Sequence, residues 1–176
     1  MSRTVKLREA LVRAFIGVLV LILTGSGSAV AQLKNAAYYC AAEAAGGLKY
    51  NETMKKWEGA SFSPEVKFVL RMNFLRARVQ KEEYSSLVAE EQVNDYTVTI
   101  TTAGSNTGID CNSQYPSKTV TVYESGTLRC YTAETEYIFN VRTNRFLAIH
   151  RIGYVAGGDN NDSTPSIQGG TCTKID

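Results

Sequence analysis

His150 is the only histidine in the 176-residue chain, and it is the first residue to question as a general base. A histidine base needs a nucleophile to deprotonate and a third group to orient it, and geometry defines that set more than residue identity does. No Gly-x-Ser-x-Gly elbow or comparable nucleophile motif accompanies it. Phe146, Ala148, His150 and Ile152 share one parity of a strand, while Leu147 and Ile149 share the other, so either side fits a core. The densest carboxylates are Glu82-Glu83 and Glu90-Glu91. A glycosidase needs two carboxyl groups facing each other across a cleft. Adjacent glutamates interleaved with Lys81 and Gln92 suit a solvated face instead. No catalytic residue is expected, and the chain does not read as an enzyme.

The metal motifs fare no better. Asp159, Asn161 and Ser163 stand at positions 1, 3 and 5 of a calcium-loop pattern, but Thr164 replaces the glycine at position 6 and Gly170 replaces the bidentate glutamate at position 12. Cys40, Cys111, Cys130 and Cys172 contain no Cys-x-x-Cys pair, and one histidine cannot complete a zinc set. No metal and no cofactor is expected. An even cysteine count in an exported chain reads as two disulfides. Four cysteines allow three pairings. The expected one is Cys111 with Cys130, the short local loop, and Cys40 with Cys172, near the two ends of the domain.

The elements that must position these residues read mostly as short strands. Val66, Phe68, Leu70 and Met72 alternate with Lys67, Val69 and Arg71, and Tyr96, Val98 and Ile100 alternate with threonines. Residues 119–124 and 127–131 flank a Ser125-Gly126 hairpin signal. Residues 136–141 and 145–154 flank a polar turn at Thr143-Asn144. Shorter candidates are 38–42, 48–50, 57–62 and 170–174, and 157–168 reads as a loop. From Phe74 to Val93 the composition turns to Arg, Lys, Glu, Gln and Ala, and Leu75, Val79, Leu87 and Val88 form a partial helical stripe. The fold class is therefore mainly β: a small antiparallel meander, closed as a barrel or folded as a sandwich, with a short helical insertion.

The N-terminus carries an address. Arg3, Lys6, Arg8 and Arg13 precede an uncharged run from Ala14 to Leu23, then a Gly/Ser break, then Ala29-Val30-Ala31. This is the layout of a cleavable signal peptide, residues 1–31, with the cut before Gln32. The apolar run is half the length a membrane span requires, and no cysteine stands at the cut to take a lipid. The expected mature chain, 32–176, is one disulfide-stapled β domain, periplasmic or secreted, with no stable membrane anchor. Four of the 19 basic and one of the 17 acidic residues leave with the leader, so 15 basic face 16 acidic residues. A near-neutral chain offers no broad basic field for nucleic acid.

An ordered set of short motifs carries a resemblance. It comprises Tyr39-Cys40, Glu43, Gly46-Gly47, Tyr50, Trp57, Phe62, Lys67-Phe68, Cys111, Cys130, Phe139, Arg145-Phe146, Gly153-Tyr154, Thr164-Pro165 and Gly170-Thr171-Cys172. In this order they resemble a group of small secreted bacterial proteins of unknown function, which implies a compartment and a fold but no active residues. Tyr38-Tyr39-Cys40, Ser125-Gly126, Arg129, Tyr131 and Cys172 are also similar in layout to the periplasmic inhibitors of C-type lysozyme. That likeness implies a partner contact through Ser125, Gly126, Arg129 and Tyr131. The leading functional expectation is a non-enzymatic exported module that binds a protein or envelope component. The alternatives are a lysozyme-inhibitor-like protein and a cell-wall-directed hydrolase built on His150.

Overall fold

Tyr96, Val98 and Ile100 are buried and the threonines between them are not, the period of two that the sequence predicts for this stretch. The same rule builds nearly everything in the computed structural model, which describes residues 35–84, 87–113 and 117–176. The expected leader, 1–31, lies outside the described residues. Ten strands follow in chain order: β1 Ala36–Asn51, β2 Lys56–Phe62, β3 Lys67–Tyr84, β4 Leu87–Thr102, β5 Ile109–Cys111, β6 Thr119–Val122, β7 Thr127–Tyr131, β8 Thr135–Asn140, β9 Arg145–His150 and β10 Ser166–Lys174. All ladders are antiparallel, and their order is β5-β4-β3-β1-β10-β9-β8-β7, with β2 also on β1 and β6 also on β4.

The sheet curls around one core. Tyr38, Phe68, Leu70, Tyr96, Val98, Val120, Leu128, Phe139 and Phe146 belong to a single buried cluster, so strands from both ends of the order share it. Edge-to-face aromatic pairs hold its centre, with Tyr38 to Phe139 at 4.8 Å and Phe68 to Phe146 at 5.0 Å. The sheet is not closed as a barrel. β5 is three residues long and lays no ladder on β7. Instead one bridge crosses the seam, with Asn112 N donating to Tyr131 O at 2.9 Å and Tyr131 N donating to Asn112 O at 2.8 Å. The Cys111–Cys130 disulfide stands beside that bridge, and the Cys40–Cys172 disulfide joins β1 to β10. The structure thus pairs the cysteines as their spacing suggested.

The helical insertion is wrong. Residues 74–84 and 87–93 belong to the long ribbon of β3 and β4, paired from Phe68–Thr102 out to Tyr84–Leu87. The register slips between Phe74 and Arg76, which places a bulge at Leu75 and breaks the alternation that would have announced a strand. Leu75 and Val79, read as part of a helical stripe, are about half exposed and face no core. Pairing with β4 therefore overrides a weak local preference. A period of two also puts Arg76 and Arg78 on one face, where both reach Asp95.

A second bulge explains a second correction. The separate short strands expected at 38–42 and 48–50 are one strand, β1, interrupted by a register shift between Ala42 and Ala44. The strand expected over 145–154 stops at His150, and a 3-10 turn occupies Tyr154–Ala156. The loop expected over 157–168 ends earlier, because β10 begins at Ser166.

Candidate partner-binding face

One side of β7, β8, β9, β10 and β1 looks away from the core. The strand registers align its outward residues in three rows across the sheet. The middle row runs Arg129, Ile138, Leu147, Gly169, Ala44. On one side of it runs Tyr131, Glu136, Ile149, Ile167, Gly46, and on the other Thr127, Asn140, Arg145, Thr171, Ala41. An antiparallel sheet with one solvated side normally alternates apolar-in with polar-out. Here four large aliphatic residues, Ile138, Leu147, Ile149 and Ile167, stand at outward positions, with Leu147 40% and Ile167 47% exposed. Small residues adjoin them, so the middle of the face sinks into an open hollow of about 550 Å³, lined by Ala44, Ile138, Leu147, Gly169, Arg145 and Thr127 among others.

Charged side chains share this face, and two of them, Glu43 and Arg145, line the hollow. Glu136, almost buried, accepts from Arg129 at 3.1 Å and lies 3.6 Å from Arg151. The Arg151 guanidinium also sits over the Tyr131 ring, 5.2 Å from its centroid. Arg145 is exposed and has no ion-pair partner among the described residues, and the same holds for Arg142 in the β8–β9 turn. Glu43 is held by the Thr171 hydroxyl.

Of the partner-contact residues that the sequence suggested, Arg129 and Tyr131 lie on this face, on the outward side of β7. Ser125 and Gly126 lie in the β6–β7 turn, at the far end of the strand. Tyr131 stands at the other end of the five-residue β7, roughly 16 Å of strand, so the four residues make no single contact loop. The turn is clamped from the next hairpin, because Asn140 Nδ2 donates to Ser125 O at 3.1 Å and to Thr127 Oγ1 at 3.0 Å. Gly126 has φ 85°, a conformation that suits glycine in such a turn.

The chemistry-bearing residues of the loop after β9 point in separate directions. Asp159 accepts from Trp57 Nε1 at 3.0 Å. The Asn161 side chain acts as a one-residue strand partner: its Oδ1 accepts from Tyr50 N at 2.9 Å and its Nδ2 donates to Tyr50 O at 3.0 Å. His150 Nε2 lies 3.1 Å from Ser163 Oγ. The three would-be calcium ligands thus engage three different partners. Among the described residues no cluster of three metal-ligating side chains occurs. Tyr154 from this loop packs on Trp57, which packs on Tyr50, as an aromatic row. Gly153 makes the loop's close approach feasible, since its φ is 105° and a Cβ there would meet Ser163 O at 1.8 Å.

The histidine–serine pair is a contact that sequence spacing alone could not show. Among the described residues no carboxylate is a hydrogen-bond partner of His150, and a catalytic imidazole takes its orientation from such a third group. Glu90 pairs with Lys81 at 2.8 Å on the ribbon, as a solvated charge would. Sequence reasoning missed the outward aliphatic row. Its trace was present in β9, where both parities are apolar: Phe146 and Ala148 fill the core, which leaves Leu147 and Ile149 outside. No family model, curated protein or solved structure matches the chain.

Proposed function

We propose that the protein is a non-enzymatic module, exported to the periplasm or cell exterior, that binds a protein or envelope component through the outer face of β7, β8, β9, β10 and β1. The observation that carries this reading is the run of Ile138, Leu147, Ile149 and Ile167 at positions where a solvated sheet should present polar side chains. Contiguous exposed apolar surface is costly to keep in water and marks interaction sites. Export agrees with the two disulfides, and among the described residues no helix is long and apolar enough to cross a membrane. The test is cross-linking of tagged protein beginning at Gln32 in an envelope extract, followed by peptide mapping. Cross-links concentrated on β8, β9 and β10 are the expected result. Cross-links scattered over the whole surface, as from an inert domain, would sink the reading.

A second reading, a hydrolase, rests on the His150–Ser163 contact alone. Turnover of cell-wall fragments or of a chromogenic ester that disappears in Ser163→Ala, with the melting curve unchanged, would establish it over the first.

A further inference from the structure

The hollow and its rim specify more than a sticky surface. The Ala44 and Gly169 positions supply little or no side chain, so the sheet backbone itself forms the floor beside Ile138 and Leu147. The depression is shallow and open along the sheet. Small-molecule sites enclose most of their ligand. A hollow of this shape leaves one side of any occupant uncovered, which suits a side chain projecting from another protein. Its apolar floor selects an aliphatic or aromatic group, the usual anchor of a protein interface.

The charges then select what stands beside that anchor. The face carries Arg129, Arg145 and Arg151 against Glu43 and Glu136, whereas the mature chain as a whole has 15 basic and 16 acidic residues. Arg129 and Arg151 already share Glu136. Arg145 has no such partner among the described residues, and its neighbours in the row, Asn140 and Thr171, are neutral. It stands two residues before Leu147, on the same side of β9, and borders the same hollow. A guanidinium offers a fork of donors that a carboxylate satisfies with two parallel hydrogen bonds.

We infer that this face takes a protein segment in which an apolar side chain stands beside an aspartate or glutamate. The apolar group seats on Ile138, Leu147 and Gly169, and the carboxylate meets Arg145. The inference rests on the binding-module reading and names the chemistry of its partner.

The probe is a phage-displayed library of random peptides, panned against immobilised protein beginning at Gln32. Enriched peptides are expected to pair Leu, Ile, Phe or Trp with Asp or Glu within a few residues. They should bind Leu147→Ser and Arg145→Glu about tenfold more weakly or worse, and Lys49→Glu, on a different part of the surface, as well as the wild type. Both Leu147 and Arg145 are exposed, so the variants are expected to melt like the wild type, which a thermal scan checks. Replacing the peptide's acid by lysine should recover binding to Arg145→Glu. No enrichment, a consensus without an acid, or affinities indifferent to both substitutions would overturn the inference. So would binding of the protein to anionic vesicles in preference to every enriched peptide. If cross-links from the envelope still concentrate on β8, β9 and β10 in any of these cases, the module reading stands and only this assignment of its partner falls.

Discussion

Leu147 lies over Gly169, its register partner on β10: a Cβ built on the glycine would stand 3.1 Å from Leu147 Cδ2. The empty position beside the leucine is what makes the hollow. Gly169→Val should therefore fill it while the exposed Leu147 swings aside. Valine suits a strand better than glycine by up to about 1 kcal/mol, so the melting temperature should hold or rise. Affinity for the panned peptides should fall about tenfold, since the lost anchor contact is one of a few that dominate such an interface. Titration calorimetry beside a thermal scan measures both, and undiminished affinity would place the anchor elsewhere.

The two disulfides should differ in worth. Cys40 and Cys172 are 132 residues apart and Cys111 and Cys130 only 19. Loop entropy assigns about 5 kcal/mol to the first and about 3 to the second. The double variant Cys40→Ala/Cys172→Ala should lower the denaturant midpoint more than Cys111→Ala/Cys130→Ala does. The second variant should instead loosen the seam, seen as faster hydrogen exchange at the Asn112 and Tyr131 amides, which bond across it. Equal protection at those amides in both variants would show that the bridge closes without its disulfide.

Asp95 should make the fold sensitive to acid. Its side chain is fully buried and accepts from Arg78 Nε at 2.8 Å, Arg76 Nε at 2.9 Å and Thr121 Oγ1 at 3.0 Å. Burial alone pushes the carboxyl pKa up. The hydrogen bonds from Arg78, Arg76 and Thr121 outweigh burial, and the pKa lies below the ordinary carboxylate range. A group whose pKa is lowered by folding stabilises the native state above its unfolded value, and that contribution disappears as pH falls through the folded value. Asp95→Asn should cost about 2 kcal/mol at pH 7, the range for hydrogen bonds to a charged group. The gap should narrow below about pH 4, where the unfolded carboxyl protonates. Chemical denaturation at pH 7 and pH 3 decides it: a constant gap would mean that the charge is immaterial.

Asn161 should hold the loop after β9 to the end of β1. Its amide replaces a strand neighbour for both backbone groups of Tyr50. Asn161→Ala leaves that N–H and C=O without these partners and should destabilise by about 1–3 kcal/mol. Limited proteolysis should cut within residues 157–165 before any other site. Wild-type resistance retained in the variant would show that the Trp57–Asp159 and His150–Ser163 contacts suffice.

Much of the sheet was legible because burial on one side of a strand imposes a period of two. That rule located the strands around Phe68, Tyr96, Val120, Phe139 and Phe146, and turn-forming residues marked Ser125-Gly126 and Thr143-Asn144. Cysteine number and spacing suggested the pairs that the structure joins. What stayed hidden was hidden by bulges. One extra residue at Leu75 and another at Glu43 invert the parity within β3 and β1, so a local reading saw a helix in one and two fragments in the other. The candidate site was hidden for a different reason. Leu147 and Ile149 are as apolar as Phe146 and Ala148, and composition alone cannot say which pair faces the core. Only the curl of the sheet, drawn together by the Asn112–Tyr131 bridge and two disulfides, turns Phe146 inward and leaves Leu147 outside beside Gly169. The sequence by itself determined the β class and the spacing of the cysteines. Which aliphatic side chains meet water, and that Arg145 stands next to them, depended on register between strands distant in the chain, because side-chain direction in a sheet is set by its neighbours.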